Sequence, residues 1–115
     1  MHITNLIPRV PDFPALTVRR DGNILIHQLT VDRFGLMGTQ FVNLDFDPIE
    51  TTLEIMPSID KFDAPYKVSK QRSGALVISG RKFFDQNGIP YSDCSRVLPT
   101  EYNRVKGRIV VKLGK

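Results

Sequence analysis

The side chains best placed to do chemistry in this sequence are cations. Residues 64–82 contain Lys67, Lys70, Arg72, Arg81 and Lys82 and no acidic residue. Ammonium and guanidinium groups strung along one segment suit a polyanion, because each phosphate they neutralise releases condensed counterions. The net charge of +4 hides a division: residues 1–63 hold 5 basic and 9 acidic side chains, residues 64–115 hold 11 and 3. Such asymmetry points to a polyanionic partner. Arg19 and Arg20 stand before the Asp21-Gly22 turn much as Lys70 and Arg72 stand around Ser73-Gly74. Together they predict one basic ridge beside two turns, extended by Arg81 and Lys82 at the start of a helix, where free N–H groups favour phosphate. The competing reading is a solvated face, neutralised within the fold by Asp45, Asp47, Glu50, Glu54, Asp60 and Asp63. Asn23 and Gln71 are the amides near the turns, so backbone contact is expected ahead of base readout.

Little else in the chain points to chemistry. His2 and His27 are isolated, the latter reading as a surface or capping residue, and Cys94 has no nearby histidine in sequence to make it a thiolate nucleophile. Asp45 and Asp47 share a strand parity and could hold a hard cation, but a pair alone is weak and a solvated strand edge is the preferred reading. No GxGxxG, phosphate loop or HExxH is present. The expectation is a protein that is not an enzyme, with no catalytic residues, no metal and no cofactor.

The elements that must position the cations follow from periodicity. Leu16, Val18, Ile24 and Ile26 alternate on either side of Asp21-Gly22, which predicts a hairpin. Leu29, Val31, Phe34 and Leu36 suit a short helix closed by Gly35. Phe41–Phe46 alternates as a strand, with Phe41, Val42 or Leu44, and Phe46 competing for its inner face, and Asp47-Pro48 opens a turn into a strand over Thr51–Met56. The order then recurs. Tyr66 begins a strand, Ser73-Gly74 turns it into Ala75–Ile78, and Ser79 is the expected N-cap of a helix carrying Phe83 and Phe84 and closed by Asn87-Gly88. Strands over Arg96–Tyr102 and Arg108–Leu113, joined through Lys106-Gly107, complete it.

The predicted fold is therefore mainly β with two short helices, in two ββαββ repeats. Repeat one is 16–56, the linker 57–65 and repeat two 66–113, and together they form one pseudo-dimeric domain over 16–115. Units this small bury too little surface to fold alone, so they are expected to share one core. Residues 1–15 form a proline-punctuated arm, too apolar at Ile3, Leu6, Ile7, Val10 and Phe13 for a solvated tail. It is expected to pack over the domain or over a neighbouring subunit.

The stretch from Gly22 to Leu36 (turn glycine, apolar strand, short helix, closing glycine and leucine) resembles the AbrB-like family of swapped-hairpin transcription regulators. Residues 74–89 resemble the same pattern with one extra residue. The resemblance implies a pseudo-symmetric swapped-hairpin β-barrel, two tandem copies in one chain, and binding to double-stranded DNA. The chain departs from the pattern in having Asn23 and Ala75 after the turn glycines, where a basic residue is common. It also has His27 and Ser79 where the helix commonly starts with proline. A curved sheet of the Whirly type, which binds single strands, is a rival that would use Tyr66 and Tyr102 for stacking.

Two functions of different kind follow. One is a DNA-binding transcription regulator whose Arg19, Arg20, Lys70, Arg72, Arg81 and Lys82 contact duplex phosphates. The other is a protein-interaction module, antitoxin-like or an oligomeric scaffold, that binds a partner or itself through residues 1–15. A single cysteine, no apolar run long enough to span a bilayer and no signal-peptide pattern place the protein in the cytoplasm, with no membrane partner.

Overall fold

Ten elements follow one another in the computed structural model, which describes residues 12–58, 62 and 64–114. They are β1 (Ala15–Val18), β2 (Asn23–Ile26), α1 (Gln28–Phe34), β3 (Phe41–Asp47), β4 (Thr52–Ser58), β5 (Tyr66–Lys70), β6 (Leu76–Ser79), α2 (Arg81–Gln86), β7 (Arg96–Asn103) and β8 (Arg108–Lys112). All strand pairings are antiparallel, and they close a barrel in the order β1-β2-β6-β5-β3-β4-β8-β7, with β7 returning to β1.

The hairpins of the two halves alternate around this ring. β1-β2 is followed by β6-β5, then β3-β4, then β8-β7. Exchanging β1–β4 with β5–β8 leaves the list of neighbours unchanged. Neither half owns two adjacent hairpins, so neither could close a barrel alone.

Alternation fills the interior. Leu16 and Val18 of β1, Ile24 and Ile26 of β2, and Leu76 and Ile78 of β6 are buried, as are Leu53 and Ile55 of β4 and Ile109 and Val111 of β8. In β3 the competition resolves in favour of Val42 and Leu44, which are buried, with Phe46 half-buried on the same parity and Phe41 on the other. The helices add Val31, Phe83 and Phe84 to one continuous core. Pro57 is tolerated in β4 because β8 pairs only with Thr52–Ile55, leaving no partner for the N–H it lacks.

Several boundaries move from expectation. β1 begins at Ala15, and the Thr100 N–H already donates to the Pro14 carbonyl at 2.9 Å, so the expected arm ends inside the sheet. Most of that arm, residues 1–11, lies outside the described residues, as do 59–61 and 63 of the linker, whose first two positions belong to β4. The N-cap of α2 is Gly80, not Ser79, which remains in β6 opposite Asn23.

One buried polar residue holds strand to helix. β2 ends at Ile26, and beyond it the His27 N–H reaches the Ala15 carbonyl only at 3.4 Å. Thr30 of α1 takes over, its hydroxyl accepting from the Ala15 N–H at 2.6 Å and donating to the Ala15 carbonyl at 2.7 Å.

Candidate nucleic-acid interface

The first turn is tight. The Arg19 N–H donates to the Asn23 carbonyl at 2.8 Å and the Gly22 N–H to the Arg19 carbonyl at 2.9 Å. Gly22 adopts φ 89°, and its Cα faces α2 so closely that an added Cβ would lie 2.6 Å from Arg81 Cβ and 2.8 Å from Arg81 Cα. The Gly80 N–H closes the contact by donating to the Gly22 carbonyl at 3.1 Å. The turn that follows Arg19 and Arg20 is thereby seated against the start of α2, which carries Arg81 and Lys82. The carboxylate within this turn, Asp21, is spent locally, accepting from the Asn23 N–H at 3.0 Å and from its Nδ2 at 3.3 Å.

The second turn repeats the geometry with a different neighbour. Gln71 N–H donates to the Ala75 carbonyl at 2.8 Å, Gly74 adopts φ 94°, and its Cα faces the side chain of Gln28. Lys70 and Arg72 therefore stand beside the start of α1, which supplies His27 and Gln28 where α2 supplies Gly80 and Arg81. The first cluster has four cations and the second has two.

The two turns do not form the single ridge expected from the sequence. β2 and β6 run antiparallel, pairing Asn23 with Ser79 and Ile26 with Leu76, so the turn before β2 and the turn before β6 lie at opposite ends of that ladder. At about 3.3 Å of rise per residue the tips stand roughly 15–20 Å apart. The α2 helix, at six residues, also aligns too few peptide dipoles for its N-terminus to count as a phosphate site.

None of the six cations forms an ion pair among the described residues; the pair found there is Arg108 with Glu54, at 2.5 Å between β8 and β4. Arg20, Lys70, Arg72, Arg81 and Lys82 are exposed and Arg19 is half-buried. Arg81 does feel α2: the Tyr91 hydroxyl donates to Asp85 Oδ1 at 2.9 Å, which raises the phenol pKa against the opposing pull of Arg81.

His27 is half-buried and occupies the N-cap position of α1, as one of its two expected readings had it, but its side chain does not do the capping. No side-chain hydrogen bond caps α1, and the imidazole Nε2 lies 2.7 Å from Thr17 Oγ1. Burial, and then the charge of Arg19, push its pKa below the usual histidine value, so it adds no charge to the cluster near neutral pH. The two tyrosines are committed to packing. Tyr66 meets Phe83 edge-on at 6.2 Å and Tyr102 tilts against Phe34 at 5.3 Å, and both rings are half-buried.

Asp45 and Asp47 accept from backbone N–H groups of Phe46 and of Ile49 and Glu50. No group of three or more metal-ligating side chains occurs among the described residues, and Cys94 is exposed. No helix among them is long and apolar enough to cross a membrane. The residue that sequence reasoning missed is Gly80. Its Cβ would meet Ile24 Cδ1 at 3.0 Å and the Gly22 carbonyl at 3.2 Å, and a glycine between a strand and a helix was the available signal. Compared with protein-family models, curated proteins and solved structures, the chain matches none.

Proposed function

We propose that the protein is a non-catalytic, swapped-hairpin barrel of two tandem ββαββ repeats that binds double-stranded DNA through its phosphates. The observation that carries this reading is the meeting of Gly22 with Arg81, which seats the turn after Arg19 and Arg20 on the start of α2 beside Arg81 and Lys82, none of the four in an ion pair among the described residues. Exposed cations without an ion-pair partner are available to phosphate oxygens, which form charge-assisted hydrogen bonds with them and release condensed counterions. The alternation of hairpins around the ring supports the swapped-hairpin interpretation. The packed tyrosines favour duplex over single strands. Tip separation of roughly 15–20 Å corresponds to about four to six base pairs at about 3.4 Å each, a span that one duplex covers.

The test is fluorescence anisotropy with labelled random duplex and single-stranded DNA. Wild type is compared with Arg20→Glu/Lys82→Glu and with Lys70→Glu/Arg72→Glu. Duplex binding that each double reversal weakens, the first more than the second, supports the proposal. No duplex binding at low salt leaves the charge as solvated surface, and points instead to the protein-interaction reading, for which Phe13, 44% exposed at the end of the arm, is the first residue to probe.

A further inference from the structure

Beyond the last turn of α2 lies a cavity of about 370 Å³, within the size range of small-molecule sites. Phe46, Ile89, Pro90 and Leu113 give it apolar walls, and Arg96 is the charged side chain that lines it. Both helices end alike, at positive-φ glycines Gly35 and Gly88. The residues before those glycines differ. Phe34 tilts against Tyr102, and the hollow there is bordered by charges of both signs, Asp32, Arg33 and Arg104. Its counterpart Asn87 folds back, Nδ2 donating to the Phe83 carbonyl at 2.9 Å, and lines the second hollow with Thr51, leaving Arg96 as the charged side chain there.

Arg96 is held in place at the start of β7 opposite Val18. It is half-buried, and its guanidinium donates to the Leu113 carbonyl. A guanidinium carries five N–H donors, so that bond leaves others unused. Asp93 borders an adjoining smaller hollow with Arg96 but lies outside ion-pair distance. Thr51 stands at the rim with φ 53°, rare for a β-branched residue, where its carbonyl accepts from the Leu113 N–H at 2.9 Å. A half-buried cation with no ion pair among the described residues, strained backbone and apolar walls thus coincide in one cavity.

We infer that this cavity binds a small organic carboxylate with an apolar tail. The carboxylate takes the free N–H groups of Arg96, and the tail lies against Phe46, Ile89, Pro90 and Leu113. The site is remote in sequence from both basic clusters and does not rest on the DNA-binding reading.

Octanoate and octanol, titrated while amide chemical shifts are followed, distinguish the charge from the tail. Octanoate is expected to bind with a Kd of about 0.1–1 mM, given the free energy per atom that small ligands achieve, and to shift Gly88, Leu113 and Gly114 first. Octanol is expected to bind at least about tenfold more weakly, the loss of one charge-assisted hydrogen-bonded pair. Arg96→Gln should weaken octanoate to the level of octanol and leave octanol unchanged. Should that variant fail to fold, Asn87→Phe, which places in the cavity the ring that Phe34 supplies on the other side, should abolish the octanoate shifts. Equal affinity for the two ligands overturns the inference. So do shifts centred elsewhere, an absence of shifts at about ten times the expected Kd, or retained binding in Asn87→Phe.

Discussion

Replacing Gly22 by alanine adds one methyl group, and the structure says what that methyl meets. It would lie 2.6 Å from Arg81 Cβ and 2.8 Å from Arg81 Cα, and the second of these is backbone that no rotamer change can move. The φ of 89° adds a conformational penalty of about 1–2 kcal/mol for an L side chain. Forcing a methyl group into packed surroundings costs about 1–3 kcal/mol more. The sum is about 2–5 kcal/mol, or a fall in Tm of roughly 10–20 °C for a chain of this size. Two companions separate the contributions. Gly74→Ala has the same kind of φ, 94°, but faces the flexible Gln28 side chain at 3.2 Å and should cost about 1–2 kcal/mol. Gly88→Ala has nothing within 4 Å and should cost about 1 kcal/mol, from φ alone. Urea unfolding of the three variants, read as midpoint shifts at constant m-value, checks the order. Equal destabilisation of Gly22→Ala and Gly88→Ala would refute the claim that the first turn is seated on α2.

Other expectations follow from single buried groups. Thr30→Val should cost about 1–3 kcal/mol by thermal melt, because the Ala15 N–H loses its acceptor inside the fold. Thr100→Val should instead raise stability by about 1 kcal/mol, since the Thr100 hydroxyl is buried with no hydrogen-bond partner. The lowered pKa of His27 makes stability fall as pH drops from the unfolded value of 6.5 toward the folded one, because there the unfolded chain binds the extra proton. Well above pH 6.5 the imidazole is neutral in both states and the slope vanishes. His27→Gln should remove this increment from urea-unfolding curves measured across that window.

Local chemistry was legible wherever it repeats within a few residues. Asp21-Gly22 and Ser73-Gly74 marked hairpin turns because positive φ is needed there, and Gly35 and Gly88 marked helix ends for the same reason. The period-two runs around Ile24 and Ile78 marked strands that bury one face. What could not be read was long-range pairing. Nothing near Lys70 or Arg72 shows that β6 runs against β2, and that antiparallel pairing is what separates the predicted ridge into two clusters. Ser79 satisfied the local preference for an N-cap, yet its pairing with Asn23 keeps it in β6 and passes the cap to Gly80. Of the six predicted contact residues, four flank a glycine contact whose partners lie far apart in the chain.

The measurement that tests the central claim most directly is the salt dependence of binding to random duplex DNA. Six phosphate contacts predict a slope of about −5 for log Kobs against log[salt], or a loss of about 1,000-fold between roughly 50 and 200 mM. Arg20→Glu/Lys82→Glu should reduce the magnitude of that slope by about 2, one unit for each contact removed. A slope near zero in wild type, or an unchanged slope in the variant, would contradict the assignment of these cations to DNA phosphates.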